Sequence, residues 1–235
     1  MNNKNIAIIT GAGRGIGESL ALKLASKGIN VALVGRSEDR LKFVAEKCKK
    51  FGVDASIFPF DLTKVSSISD LVKDITKKYP RINYLINNAG TYVKGDPYNS
   101  SLTDWDYALD LNFRSVYYLT NQVLPSMVAH ESAVINISSI AGLITYKGGE
   151  IYTATKHALK AYSNCLFESV REKGIKVSCI FPGYVNTDLG RGENLDETKM
   201  IQPEDIAKTV EWILDIPITS CPTEVTIRPQ FSPYK

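Results

Sequence analysis

Short runs that read as strands recur along this chain, the first of them apolar throughout, and a longer stretch of helical period follows nearly every one. The runs cover 6–9, 31–34, 55–60, 82–86, 133–137, 175–181 and 223–227. A run that is apolar throughout, rather than alternating, is buried on both faces and fits a strand inside a parallel sheet. Strands that alternate with helices build a doubly wound sheet, and right-handed crossovers put helices on both of its faces. The expectation is an α/β chain with one seven-stranded parallel sheet, forming a single domain over residues 1–235 without repeats or low-complexity tracts. Helices are expected over 39–50, 66–78, 152–171 and 203–216, and from Ser101 or Thr103 to about 129.

Composition narrows the function classes. The net charge of +3 is dispersed, so the chain lacks the basic stripe of a nucleic-acid binder. No apolar run reaches the roughly 20 residues that span a bilayer, and residues 1–5 lead straight into a strand without the pattern of a signal peptide. Cys48, Cys165, Cys179 and Cys221 form no Cys-x-x-Cys pair and stand at no zinc spacing to His130 or His157, so no metal site is expected. Scattered cysteines fit a reducing cytoplasm.

The first strand ends in Thr10-Gly11-Ala12-Gly13-Arg14-Gly15-Ile16-Gly17, and a helix follows. Glycines permit a tight turn and a close backbone approach, and the helix start aims free N–H groups at an anion. In this strand-to-helix setting the turn reads as a dinucleotide phosphate cradle. About 20 residues further on, NAD sites place an acid on the ribose 2′-hydroxyl. Here Gly35-Arg36 stands instead. A guanidinium binds a 2′-phosphate that a carboxylate would repel, and Arg14 adds a second cation, so the expected cofactor is NADP(H). Asp61, after the third strand, either accepts from an adenine amino group or caps the helix near Ser66.

The remaining motifs also follow strands: Asn87-Asn88-Ala89-Gly90, Ser138-Ser139 and Pro182-Gly183. Ligands of such sheets bind beyond the carboxyl ends of the strands, where all of these gather. Tyr152 and Lys156 lie four apart at a helix start, on one face. A fixed cation lowers a phenol's pKa, which makes the pair a candidate proton donor and acceptor. A helix that merely carries both residues is the plain alternative.

The combination resembles the short-chain dehydrogenase/reductase family over nearly the whole chain. The motifs that carry the resemblance are Thr-Gly-x-x-x-Gly-x-Gly at 10–17, Asn-Asn-Ala-Gly at 87–90, Ser139, Tyr-x-x-x-Lys at 152–156 and Pro-Gly-x-Val-x-Thr at 182–187, with Asn112 in a Leu-Asn pair. The resemblance implies a Rossmann-type fold and catalysis by Asn112, Ser139, Tyr152 and Lys156. Tyr152 would protonate the carbonyl oxygen as hydride leaves the nicotinamide, and Ser139 would hydrogen-bond that oxygen. Lys156 would acidify Tyr152 and hold the nicotinamide ribose, and Asn112 would hold a water relaying protons to solvent. Cofactor contacts would come from Gly11, Gly13, Arg14, Gly15, Ile16, Gly17, Arg36, Asp61, Leu62, Asn88, Ala89, Gly90, Tyr152, Lys156, Pro182, Gly183, Val185 and Thr187.

Departures bear on the substrate, expected to be a small carbonyl or alcohol. The chain looks like the 3-oxoacyl-acyl-carrier-protein reductase branch, but its lid at 188–202 is short and the stretch 190–194 reads as mobile. The family's paired glycines near the C-terminus are replaced by Val225-Thr226-Ile227-Arg228-Pro229. A 3-oxoacyl thioester, a small ketone or aldehyde, a sugar and a pterin all remain open. Tyr92, Ile144, Tyr146 and Tyr184 either border the pocket or pack their loops. The helices at 103–129 and 152–171 are apolar nearly all round, which suggests a homodimer or homotetramer built through them. The alternative reading is a non-catalytic NADP(H)-binding redox sensor.

Overall fold

The computed structural model describes residues 5–190 and 194–235. The elements that frame the site are β1 (Ile6–Thr10), α1 (Gly15–Ser26), β2 (Asn30–Gly35), α2 (Glu38–Lys49), β3 (Ala55–Pro59), α3 (Ile68–Lys78), β4 (Tyr84–Asn87), α4 (Leu102–Leu109), α5 (Ser115–Val123), β5 (Ser132–Ile137), α6 (Glu150–Val170), β6 (Ile175–Pro182), α7 (Pro203–Asp215) and β7 (Glu224–Ile227). The seven strands form one parallel sheet in the order β3-β2-β1-β4-β5-β6-β7. The order reverses between β1 and β4, the switch point where such sheets open a ligand crevice.

Successive strand residues point to opposite faces, and two apolar clusters follow from that. On one face Ala7, Ile9, Val31 and Leu33 pack with Leu20 and Leu24 of α1, Leu41 and Val44 of α2 and Ile206 and Val210 of α7. On the other, Ile6, Ile8, Ala32 and Val34 pack with Leu71 and Ile75 of α3, Leu119 and Val123 of α5 and Leu166 and Val170 of α6. All five residues of β1 are buried, as its unbroken apolar run requires.

The long helix expected to run to about 129 is divided. A π-helical turn, Asp110–Arg114, separates α4 from α5, and a 3-10 turn containing Pro125 ends the run at Ser126. Proline accounts for the end, because it lacks the N–H that the next turn needs. The other boundaries shift slightly. β4 starts at Tyr84 rather than Ile82, and α6 starts at Glu150, two residues before Tyr152. A 3-10 turn over Val65–Ser67 precedes α3. Pro203 opens α7 at its first turn, with Asp205 bonding back to the Gln202 amide at 3.0 Å. Within the stretch expected to be mobile, Arg191, Gly192 and Glu193 lie outside the described residues.

Candidate active site and cofactor cleft

The glycine turn is shaped by backbone demands. Gly11 and Gly15 have φ of +65° and +55°, values that favour glycine. A Cβ at Gly17 would overlap the Gly11 carbonyl, so α1 starts hard against the turn only because position 17 carries no side chain. The first amides of α1 lack intrahelical partners and form a ready anion site. The Asn-Asn-Ala-Gly loop closes one flank. Thr10 Oγ1 accepts from the amides of Asn88 (2.9 Å) and Ala89 (3.0 Å), and Asn88 Nδ2 donates to the Thr10 carbonyl at 2.9 Å. Thr10 therefore acts as the clamp between the two motifs, a role its position in the first motif did not announce.

Beside β2 the cleft is cationic. Arg36 reaches across it to donate to the Tyr107 hydroxyl of α4 at 2.9 Å. Arg40 also lines the cleft, and a Cβ at Gly13 would sit 3.1 Å from the Arg40 Cβ. Sequence reading passed over Arg40 because a cation in the first turns of a helix resembles ordinary surface. Arg14 lines the cleft too and is paired with Asp188 in the loop after β6. Asp61 Oδ1 accepts from the Thr63 amide (3.1 Å) and hydroxyl (2.9 Å), so it closes a local turn and does not cap α3.

At the other end stand Ser139, Tyr152 and Lys156. Lys156 is buried and donates to the Ile137 carbonyl at 3.1 Å, with its ammonium 5.8 Å from the Tyr152 ring centre. Burial pushes its pKa down to about 8. Burial holds the Tyr152 phenol above its ordinary value, the Ser139 hydroxyl pulls it back, and the Tyr92 phenol adds to the rise. The Lys156 ammonium is turned toward the carbonyl at the end of β5. Ser138 points inward, its hydroxyl donating to the Lys156 carbonyl at 3.3 Å, and this leaves Ser139 at the cavity.

Asn112 sits in the π turn, and π turns often mark functional positions. Its amide donates to the Thr91 carbonyl (2.9 Å) and to Thr155 Oγ1 (3.2 Å), and its oxygen accepts from the Thr91 amide at 2.8 Å. The side chain is thus a brace between the loop after β4 and α6. Beneath it runs a buried polar chain: Asn87 donates to Asn136 (2.8 Å), and Asn136 donates to Ser163 of α6 (2.8 Å). A satisfied buried network of this kind fixes register.

One cavity of about 1440 Å³ joins the two ends. Single small-molecule sites run to roughly 1,000 Å³, so this one has room for a dinucleotide and a second ligand. Gly11, Gly13, Arg14, Gly15, Ile16, Arg36, Asp61, Leu62, Asn88, Ala89, Gly90, Ser139, Tyr152, Lys156, Pro182, Gly183, Val185 and Thr187 all line it, as do Tyr92, Ile144, Tyr146 and Tyr184. Gly17 and Asn112 do not, and act from behind. Room for a cofactor is kept by Gly90: a Cβ there would crowd Asn112 Oδ1 at 3.3 Å and Lys156 Nζ at 3.6 Å. Residues Arg228 to Tyr234 form a further wall that sequence patterning did not reveal. Among the described residues there is no cluster of three or more metal-ligating side chains, and no helix is long and apolar enough to cross a membrane.

Residues 5–198 match the family model described as short chain dehydrogenase. The chain belongs to that family. Similarity to an uncharacterized oxidoreductase of Staphylococcus aureus (strain MRSA252) reaches 34% identity, covering 95% of this chain and 96% of the relative. The fold also superposes on a metagenomic short-chain oxidoreductase solved in complex with NADP, with a TM-score of 0.85 and 30% identity over 97% of this chain and 98% of that one. A serine dehydrogenase from Escherichia coli superposes with a TM-score of 0.81 at 28% identity, over 94% and 96% of the two chains. As a short-chain dehydrogenase, this protein is an oxidoreductase that uses a nicotinamide cofactor.

Proposed function

We propose that the protein is an NADP(H)-dependent reductase of ketones or aldehydes, 3-oxoacyl thioesters among them, running in reverse on secondary alcohols. The observation that carries this reading is that Ser139, Tyr152 and Lys156 open onto the same cavity as the glycine turn. The amides of α1 and the glycine turn fit a pyrophosphate. Arg36 and Arg40 favour a 2′-phosphate in a position where NAD sites carry an acid. The NADP complex of the metagenomic relative supports the same choice.

When bound, NADPH supplies the hydride. Tyr152 supplies the proton that the carbonyl oxygen needs, a phenol being protonated at neutral pH. The Ser139 hydroxyl donates to the same oxygen as charge develops on it. Lys156 stands beside Gly90, placed to hold the nicotinamide ribose and to add positive charge near the phenol when protonated. Pro182, Gly183, Val185 and Thr187 line the cavity and would flank the nicotinamide, setting which ring face met the substrate. Asn112, its side chain engaged on Thr91 and Thr155, keeps the loop and α6 at the spacing that a water relay past Lys156 requires.

The assembly we propose is a homodimer or homotetramer through α4–α5 and α6, within the expected stretches 103–129 and 152–171. Tyr117 and Tyr118 support this, being 47% and 40% exposed on α5. The four cysteines are free, which is consistent with the cytoplasm. The deciding test is NADPH oxidation against a carbonyl panel that includes an acetoacetyl thioester, run on wild type and Tyr152→Phe. Turnover that vanishes in the variant while NADPH still binds supports the reading. Binding without turnover in the wild type would replace it with the redox-sensor reading.

A further inference from the structure

We infer that the C-terminal segment, Arg228 to Tyr234, is the specificity wall of this reductase, and that it selects carbonyl substrates carrying an apolar, ring-sized substituent. The inference rests on the proposed function. In place of the paired glycines expected near the C-terminus, the chain leaves β7 through Arg228-Pro229 and turns along the nicotinamide side of the cavity. The Gly183 amide donates to the Ile227 carbonyl at 2.8 Å, and a Cβ at Gly183 would stand 2.9 Å from Pro229 Cδ. The segment is then pinned a second time. Tyr234 pairs with Leu195 in an antiparallel bridge, the Asp196 amide donates to the Pro233 carbonyl (2.7 Å), and the Lys235 amide donates to the Asn194 carbonyl (3.1 Å). These bonds make it a fixed wall, joined to the short lid.

What the wall presents is apolar. Phe231 and Tyr234 line the cavity and keep 67% and 60% of their surface open. The Tyr234 and Tyr184 hydroxyls bond each other at 3.0 Å, which occupies one of their two O–H donors, and their rings stand edge to face at 5.7 Å along the cavity. Tyr146 stands close enough to Tyr92, Tyr152 and Tyr184 for each to help raise its pKa, which burial and these neighbours push up to about 12. Tyr92 packs edge-on against Tyr152 at 5.2 Å. The reacting phenol thus shares its cavity with Tyr92, Tyr146, Tyr184, Phe231 and Tyr234, whose rings offer stacking surface to a planar or ring-bearing group. Arg228 is the cation at this rim, and it makes a carboxylate-bearing substrate the competing outcome.

Three methyl ketones with similar carbonyl reactivity test the inference: butanone, benzylacetone and levulinate. In the wild type, kcat/KM for benzylacetone should exceed that for butanone by at least about tenfold, the scale on which an apolar pocket discriminates. Phe231→Ala and Tyr234→Ala should each lower the benzylacetone-to-butanone ratio of kcat/KM at least about fivefold, chiefly through KM for benzylacetone. Tyr234→Phe, which keeps the ring, should retain it. Equal rates for benzylacetone and butanone, or a preference for levulinate lost in Arg228→Ala, would overturn the inference. If none of the ketones turned over, the reductase reading would fall on its own. Saturation-transfer NMR of benzylacetone would still read the wall, a signal that survives both alanine variants counting against it.

Discussion

Arg14, in the glycine turn, is ion-paired with Asp188, in the loop after β6, across the cleft between them. Both side chains are more than half exposed, and exposed pairs contribute only about 0–1 kcal/mol. Asp188→Asn should therefore leave the melting temperature within a few degrees of wild type. Its effect should appear in cofactor binding, because the acid offsets a cation beside the phosphate cradle. We expect KM for NADPH to fall by about two- to fivefold at low salt and the difference to shrink as ionic strength rises.

Lys156 ties a pH window to stability. Its pKa is lowered by burial from 10.5 to about 8, so between those values the unfolded chain binds more protons than the folded one. Stability then rises with pH across that window, and below about 8 the cost of the buried charge is fully present. Lys156→Met removes the cost. The difference in unfolding free energy between variant and wild type should favour the variant at pH 7 by on the order of 3 kcal/mol and narrow above pH 8. Denaturant melts of both proteins across that range give the curve, and a flat difference would contradict the origin assigned here.

Ser139 acts on the same site with a different sign. Its hydroxyl lowers a Tyr152 pKa that burial raises. Carbonyl reduction needs the protonated phenol, so kcat/KM holds through neutral pH and falls once the phenol ionises. Ser139→Ala should reduce kcat by about 10²–10³-fold, as loss of an oxyanion donor does, and should move the falling limb to higher pH. A limb that stays in place would assign it to another group.

The cations beside β2 set the cofactor preference. Arg36→Ala should lower kcat/KM for NADPH by about 10- to 100-fold, the worth of a charge-assisted hydrogen bond to phosphate. The value for NADH should change little. Arg40→Ala should act in the same direction. Initial rates with both cofactors decide it.

The sheet was legible in sequence because short strand-like runs, unbroken and apolar at 6–9 and 31–34, alternate with helical stretches, although edge strand β7 alternates exposed and half-buried residues. Ser139 and the glycine turn were legible because each follows a strand and strand ends converge, and Tyr152 with Lys156 because they stand four apart at a helix start. Other features left no local trace. The π turn around Asn112 keeps the helical apolar pattern, so nothing in 101–129 announces it. Arg40 looks like helix surface until Gly13 is seen to approach it. Asp188 gave no hint of its pairing with Arg14, and Asp61 was ambiguous until the structure showed its oxygen on Thr63. The wall from Arg228 to Tyr234 has no period at all, and its bonds to Tyr184 and Leu195 bridge some 40 to 50 positions.

The polar chain Asn87–Asn136–Ser163 joins β4 and β5 to the same helix that carries Tyr152 and Lys156. The residues that hold the reacting groups in place are therefore mechanically separate from those that shape the entrance. For protein engineering this is a division of labour: Phe231 and Tyr234 are open to wide randomisation in search of new substrates, whereas the asparagines below are a chassis best left untouched.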